Sequence, residues 1–533
     1  MMPEGQTTWW SRLIDLRRFF VVQTVLMVLA GTALRLVLLI HFGAEGASGT
    51  DIIRALVTGL YLDVCIAGFA SLPFITLLSV TPVRWAANRF FRFLIWSALL
   101  FFWVLFLFNK ASEYFFFEEF LSRYNTVAID YLLYPHEVFT NIWEAYPVVW
   151  VIIGTVVAGL VAVMILRRWT RVDPSVPPME NRRRFLGLVM LAVFAMLATT
   201  PLVSTRFSRE RQVNELANNG TVSVLTAAWS RNLDYSAFYP VVDLKVAEEH
   251  TRGLLKETNV TFVSTNEPLR RKVAGDPAKP QLNVVMLLEE SLGSEFWGSL
   301  GRTNETMMPR MDALSLGEGM LFDNVYATGN RTVRGFEGVL ASFPPLPGDS
   351  IVKRDRSQNV ETIARVLKRD GYQTAFLYGG RGLFDGMRSF SVNNGYERFI
   401  EQKDFEKPVF TTVWGVSNED LYTRTIEECR DMARKGKPFL ATVLSVSNHK
   451  PFTYPAGRIA EDPNQRRREN AVKYTDWALG EFFAAAKKED FWKNTIFVVI
   501  ADHGARVYGS QTIPIRSYEV PFVVFGPAVV SKA

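Results

Sequence analysis

Long apolar runs separated by short charged loops fill the first 205 residues, and the rest of the chain mixes polar and apolar positions far more evenly. Five runs, at about 19–41, 55–80, 93–109, 146–166 and 185–205, are each long enough to cross a hydrocarbon layer of roughly 30 Å as a helix. A buried helix of a water-soluble protein imitates one such run, but five would require an improbably large apolar core. Arg12, Arg17 and Arg18 precede the first run, and Arg84, Arg89 and Arg92 separate the second from the third. Arg167, Arg168, Arg171 and Arg182 to Arg184 separate the fourth from the fifth, while the alternate loops are acidic or nearly neutral. Basic loops stay in the cytoplasm, so the amino terminus is expected inside and everything beyond residue 205 outside.

Two features of this half are less regular. The 110–145 loop mixes Phe115 to Phe117 and Tyr131 with Glu113, Glu118, Glu119, Asp130, Glu137 and Glu144, and it includes Tyr134-Pro135-His136. It reads either as an amphipathic interfacial helix or as a lipid-facing entrance to the outer domain. Arg35 and Asp63 lie in or near apolar runs, where pairing and snorkelling toward the interface account for them equally well.

Beyond residue 205 the period changes. Segments 209–230 and 243–256 have helical character, and Pro268, Gly275, Pro277 and Pro280 then interrupt the chain. Apolar runs of strand length follow at 283–288, 321–326, 374–378, 439–446, 495–500 and 520–525, with helical stretches at 309–316, 359–370, 419–436 and 471–488. Such alternation predicts an α/β sheet covered by helices on both faces, with ligands gathered beyond the carboxyl ends of the strands. The expected organisation is a five-helix transmembrane domain (1–205), a helical juxtamembrane linker (206–280) and an extracytoplasmic catalytic domain (281–533).

Composition narrows the function. The formal charge of +6 sits largely in arginines of short membrane-flanking loops, so nucleic acid is not an expected partner. Cys65 and Cys429 are the two cysteines of the chain, and a structural disulfide between them is not expected.

Candidate chemistry collects at predicted strand ends. Glu289 and Glu290 follow the 283–288 run, and alternation along an extended segment lets one of them face a site without saying which. Asp502-His503-Gly504 follows the 495–500 run, and carboxylate oxygen with imidazole nitrogen is a normal ligand mix for a divalent cation. A tight turn with Asp502 as a cap is the plain alternative. Thr332 lies in the polar, glycine-rich segment 328–335; a threonine hydroxyl needs a base or a metal to act as a nucleophile, and most such threonines are ordinary caps. His449, in Ser447-Asn448-His449-Lys450-Pro451-Phe452, suits proton transfer or phosphate contact as well as a structural role. Arg331, Arg334, Arg381 and Arg388 are candidate phosphate clamps.

Read together, Glu290-Ser291, Asn330-Arg331-Thr332 ahead of Phe336-Glu337, Gly371-Tyr372-Gln373-Thr374, Trp414-Gly415, Asn448 to Phe452, Tyr474-Thr475-Asp476 and Asp502-His503-Gly504 resemble the lipoteichoic-acid synthase family. These are sulfatase-fold phosphoglycerol transferases of the alkaline phosphatase superfamily, and the chain is similar to their Gram-negative branch. The resemblance implies that Glu290, Thr332, Asp502 and His503 hold one divalent cation, usually manganese, with magnesium or zinc as alternatives. It makes Thr332 the nucleophile and His449 a substrate contact. The donor would be phosphatidylglycerol, and the acceptor a glycan or polymer on the outer side of the bacterial inner membrane. The 378–388 stretch departs from the family's glycerol-phosphate pocket, and Arg381, Asp385 and Arg388 are the expected replacements. A phosphoethanolamine or other head-group transferase or hydrolase is the runner-up, and a non-enzymatic scaffold is third. The resemblance also implies a further strand and helix beyond Pro527, so the carboxyl edge of the sheet is expected to be incomplete. Oligomeric state is not legible.

Overall fold

The computed structural model describes residues 13–527 apart from 45, 83–84, 86–87, 134, 173–178, 231–239, 265, 276–279, 345, 347, 355–356, 507–510 and 512. Arg12, Arg84, Tyr134 and Pro277, and the side chains of Asp130, His136, Glu137 and Arg171, therefore lie outside the described residues. The chain divides into two compact units, Met1–Trp229 with Arg506–Arg516, and Ser230–Ala505 with Ser517–Ala533.

Among the described residues, five helices of the first unit are long and apolar enough to span a membrane. They are α1 (Leu16–Phe42), α2 (Gly49–Val80), α3 (Arg89–Phe120), α4 (Val148–Trp169) and α5 (Met179–Thr199). Helix α3 runs about three turns beyond the apolar stretch and takes in Lys110 and Glu113. Its extension is stable because those charges are paired: Glu113, fully buried, meets Lys110 Nζ at 2.9 Å and Arg123 Nη1 at 2.5 Å. The amino-terminal part of the 110–145 loop is thus the end of a long helix, followed by short helices at Thr126–Leu133 and Pro135–Ala145.

Two further helices of this unit, α6 (Arg211–Ala217) and α7 (Gly220–Ser230), follow the fifth span. Buried charge holds the turn between them. Arg35 Nη2 lies 2.9 Å from Asp63 Oδ2, and its Nη1 donates to the carbonyls of Leu216 and of Asn218, the latter at 2.8 Å. Asn219 Nδ2 donates to Asp63 Oδ1 at 2.7 Å. The Arg35 and Asp63 side chains are therefore paired, which decides against snorkelling, and Gly59 leaves the space the guanidinium occupies.

The second unit is built on a seven-stranded sheet. In chain order its strands are β1 (Asn283–Glu289), β2 (Gly319–Phe322), β3 (Gln373–Tyr378), β4 (Arg398–Ile400), β5 (Phe439–Leu444), β6 (Thr495–Ala501) and β7 (Phe522–Phe525). They lie in the order β2-β7-β6-β1-β5-β3-β4, with β7 antiparallel to both of its neighbours and the other pairings parallel. The apolar runs of β1 and β5 mark central strands covered on both faces. On β1, Val285 and Leu287 join a core with α8 (Pro309–Glu318), α11 (Asn418–Arg434) and α12 (Arg468–Ala486). Met286 and Leu288 point the other way, into a core with α9 (Thr332–Ala341) and α10 (Ile363–Arg369). The sequence pattern anticipates six of these strands; β4, three residues long, and α9 were not anticipated. Helix α9 carries three glycines or hydroxyl residues among its ten and has weak intrinsic helix propensity, so packing of Val333, Phe336 and Leu340 sustains it.

Two stability changes are expected. Asp63→Ala leaves Arg35 buried without its counter-charge and should cost about 3–5 kcal/mol, read as a lowered unfolding midpoint in detergent. In the second unit, Asp476 accepts from the amides of Arg310 (3.0 Å) and Met311 (2.8 Å) at the start of α8. Burial pushes its carboxyl up to about 6 from the ordinary 3.8. A carboxyl raised on folding stabilises the protonated protein, and that stability is present below about pH 4 and lost as pH rises through about 6. Asp476→Asn does not titrate, so its melting temperature relative to wild type should rise between pH 4 and 7; a flat difference would show that burial does not shift this group.

Candidate active site

Strand alternation places the two adjacent glutamates on opposite faces of the sheet. Glu289 shares the face of Val285 and Leu287, and there Tyr422 of α11 donates to its Oε1 at 2.7 Å. Burial pushes this carboxyl up to about 7. Glu290 lies on the α9 side. Its amide donates to Ser445 Oγ at 2.9 Å, and its carbonyl accepts from Asn448 Nδ2 at 3.1 Å, which ties the end of β1 to the segment after β5.

The carboxylate of Asp502, fully buried just beyond β6, gathers the neighbouring backbone. Oδ1 accepts from the amides of Ser291 (2.9 Å) and His503 (2.7 Å), and the Asp502 amide donates to the Glu289 carbonyl at 3.1 Å. Among the described residues Oδ2 has no donor in hydrogen-bond geometry, and His503 Nε2 lies 3.5 Å from it. The imidazole Nδ1 faces the Gly504 carbonyl at 2.8 Å; a carbonyl can only accept, so Nδ1 carries the hydrogen and Nε2 presents a lone pair to the cluster. Nε2 is 3.7 Å from Glu290 Oε1.

Thr332 is the first residue of α9, and its hydroxyl donates to Glu290 Oε2 at 3.1 Å. The opposite carboxylate oxygen, Oε1, accepts from Ser291 Oγ at 2.6 Å. The helix comes this close because Gly335 packs against the Asp502 carbonyl, where a Cβ would collide with backbone. A hydroxyl at a helix amino terminus sits in positive potential, which lowers the cost of charge on its oxygen.

Electrostatics inside the cluster are opposed. Burial acts first on Asp502 and, with the Glu290 charge, pushes its carboxyl well above the usual range. Burial also acts to raise Glu290, yet the nearby His449 and His503 and the Ser291 and Thr332 hydroxyls outweigh it and hold that carboxyl low. His503 is lowered by burial, which Glu290 only partly offsets, so its imidazole is held neutral. Two carboxylates and a neutral imidazole, with ligand atoms all within 4.8 Å of one another and one carboxylate oxygen lacking a donor, fit a divalent cation.

Other sequence candidates fall differently. The His449 ring stacks on Trp414, centroid to centroid 3.9 Å at 30°, and Phe384 meets the other side of that indole edge-on at 5.4 Å. Arg331 immediately precedes α9 without a side-chain capping bond to it, and Arg381 is exposed. Arg334 is bound to Glu337 at 2.7 Å and to the Gly348 carbonyl, and Arg388 is bound to Glu401. Asp385 is buried in an ion pair with Lys353 at 2.8 Å rather than open to a ligand. Sequence reasoning did not single out Trp414 as the support of His449, or Arg468, whose charge acts on His503. The Trp414-Gly415 pair was visible as a motif, whereas Arg468 stood in a basic run that reads as surface.

A divalent cation such as Mn2+ should raise the melting temperature of the chain, because it binds the folded form. Asp502→Asn and His503→Ala should abolish that rise while Glu289→Gln, on the other face, keeps it. Gly335→Ala should cost on the order of 2 kcal/mol by overpacking α9 against the Asp502 turn and should weaken the same cation response.

Similarity to known proteins agrees with this geometry. Residues 282–532 match the Sulfatase family. A crystal structure of a protein in the alkaline phosphatase superfamily from Vibrio parahaemolyticus is 40% identical, with a TM-score of 0.51, over 55% of this chain and 71% of that one. The lipooligosaccharide phosphoethanolamine transferase EptA of Neisseria meningitidis shares the fold over 96% of this chain and 88% of its own, at TM-score 0.58 and 15% identity. Phosphoglycerol transferase I of Xanthomonas campestris is 24% identical over 252 residues, 44% of this chain and 35% of that protein. The chain thus spans about a third of the length of the curated relatives it matches. It belongs to the alkaline phosphatase superfamily, with a sulfatase-fold domain over residues 282–532.

Proposed function

We propose that this chain transfers a phospholipid head group, with Thr332 as the nucleophile and Glu290, Asp502 and His503, together with Thr332, as ligands of a divalent cation. The observation that carries the reading is the Thr332 hydroxyl, 3.1 Å from Glu290 and at the positive end of α9, inside a buried carboxylate and imidazole cluster. A bound cation, Mn2+ by family resemblance, supplies a lowered hydroxyl pKa and neutralises charge on the phosphoryl oxygens.

The residues supply the rest. Glu290 Oε2 accepts the hydroxyl hydrogen as Thr332 Oγ1 forms a bond to the donor phosphorus, and the bond from phosphorus to the diacylglycerol oxygen breaks. His449, held on Trp414, is the group we assign to protonate that leaving oxygen. In the second half an acceptor hydroxyl, on a glycan or polymer, gives its hydrogen to His449 as it attacks the same phosphorus, and the Thr332 oxygen leaves and regains its hydrogen from Glu290. The arrangement of basic loops supports a reading in which this chemistry lies on the extracytoplasmic side of a bacterial inner membrane. Five spans on the same chain suit a donor that never leaves the bilayer.

The narrower reading is phosphoglycerol from phosphatidylglycerol, supported by the names of the Xanthomonas and Citrobacter relatives. Phosphoethanolamine is its competitor. Incubating the full chain with Mn2+ and each lipid, followed by intact mass measurement, should show a head-group adduct on Thr332. Thr332→Ala should abolish the adduct and transfer while keeping the wild-type melting temperature. Turnover near wild type in that variant would remove Thr332 from the nucleophile role.

A further inference from the structure

We infer that the buried Lys353–Asp385 ion pair is a positioning device: through Phe384 and Trp414 it fixes where the His449 ring stands relative to the helix that begins at Thr332. The inference rests on the reaction proposed above, in which His449 protonates the leaving oxygen. It gives Asp385 a supporting role in place of the substrate contact expected from the sequence.

The pair joins two turns. Lys353 closes the turn Ile351–Lys353, and Asp385 is the middle residue of the turn Phe384–Gly386. Both side chains are buried, with Nζ 2.8 Å from Oδ1, and taking either charge away would leave the other uncompensated. At Asp385 the backbone has φ +53°, a region that residues other than glycine seldom take, and the ion pair holds it there.

The first turn is fastened to the nucleophile's helix. Glu337, fully buried on α9, accepts from the Ile351 amide at 2.7 Å and from Ser350 Oγ at 2.6 Å, while Arg334 Nη1 meets its other oxygen at 2.7 Å. The second turn carries an aromatic shelf. Phe384 meets the Trp414 indole edge-on at 5.4 Å, and that indole lies 3.9 Å from the His449 ring, centroid to centroid. Trp414 Nε1 also donates to the carbonyl of Lys450 at 2.7 Å, so the indole grips both the His449 ring and the backbone beside it. Val352, Phe384 and Trp414 share one core with Val333 and Phe336 of α9. A shift between the two turns therefore changes the placement of His449 against Thr332, and a displacement of about 1 Å in a reacting group can cost on the order of 100-fold in rate.

The leaving group provides the test. As Thr332 Oγ1 bonds to phosphorus, the diacylglycerol oxygen departs with the His449 proton, whereas a nitrophenolate departs as a stable anion and needs none. A misplaced His449 should slow a lipid donor and spare a nitrophenyl one; a fault in the nucleophile or its cation should slow both. The full chain with Mn2+ is given vesicles of phosphatidylglycerol and phosphatidylethanolamine or, in parallel, p-nitrophenyl phosphodiesters of glycerol and ethanolamine. The rate of Thr332 adduct formation is followed by intact mass. Asp385→Asn should slow the lipid reaction at least about tenfold and the nitrophenyl reaction less than about threefold. Phe384→Leu, which leaves no charge unpaired, should give the same split and decides the matter if Asp385→Asn does not fold. His449→Ala sets the full size of the split, and Asp385→Asn added to it should cause no further loss, because both act on one group. If His449→Ala separates the two donor types but Asp385→Asn and Phe384→Leu slow both alike or neither, or if the double variant loses more, the positioning role is overturned and the proposed transfer stands. No separation in His449→Ala, or no adduct with any donor, overturns the underlying reading and the positioning role with it.

Discussion

The candidate site depends on one buried carboxylate. Asp502 Oδ1 accepts two backbone amides, one from its own turn and one from the turn after the neighbouring strand, and so joins the ends of β1 and β6. A carboxylate so fully desolvated is costly unless charge-assisted hydrogen bonds and a counter-charge compensate it. Two amides satisfy one oxygen; the other is left facing His503 and Glu290. That residual demand is what makes the cluster a place for a cation rather than a closed structural knot.

Packing then brings the hydroxyl to the cation site. Helix α9 can seat Thr332 beside Glu290 because Gly335 permits contact with the Asp502 backbone, and because Val333, Phe336 and Leu340 hold the helix to the sheet. Beside the site, the aromatic contact with Trp414 orients the His449 ring as the Gly504 carbonyl orients that of His503. The basic residues divide into two kinds. Arg334 and Arg388 brace loops through buried or half-buried glutamates, and their charge is spent locally. Arg468 lies instead over the Phe452 ring, in the segment that follows His449.

The membrane unit follows the same rule under a harsher solvent. Charges far from water persist there only as partners, as Arg35 with Asp63 and Glu113 with Lys110 and Arg123. Arg35 also gathers the carbonyls of Leu216 and Asn218, so burial of charge and the course of the backbone after the fifth span are solved together.

The sequence by itself determined what depends on local periodicity and residue chemistry. Five spans follow from apolar length, six of the seven strands from apolar runs bounded by breakers, and the ligand types from an acid and an imidazole at strand ends. Its apolar count did not show that the third helix continues past the apolar run, because it could not see that Lys110, Glu113 and Arg123 would neutralise one another. Only the tertiary structure decided which way Glu289 and Glu290 face, since that depends on which core each side of β1 meets. It alone made a helix of the glycine-rich segment that begins at Thr332, turned Asp385 inward to Lys353, and laid Arg468 of a basic run over the Phe452 ring. Each of these is a contact between residues far apart in the chain, and such contacts leave no periodic trace in the sequence that forms them.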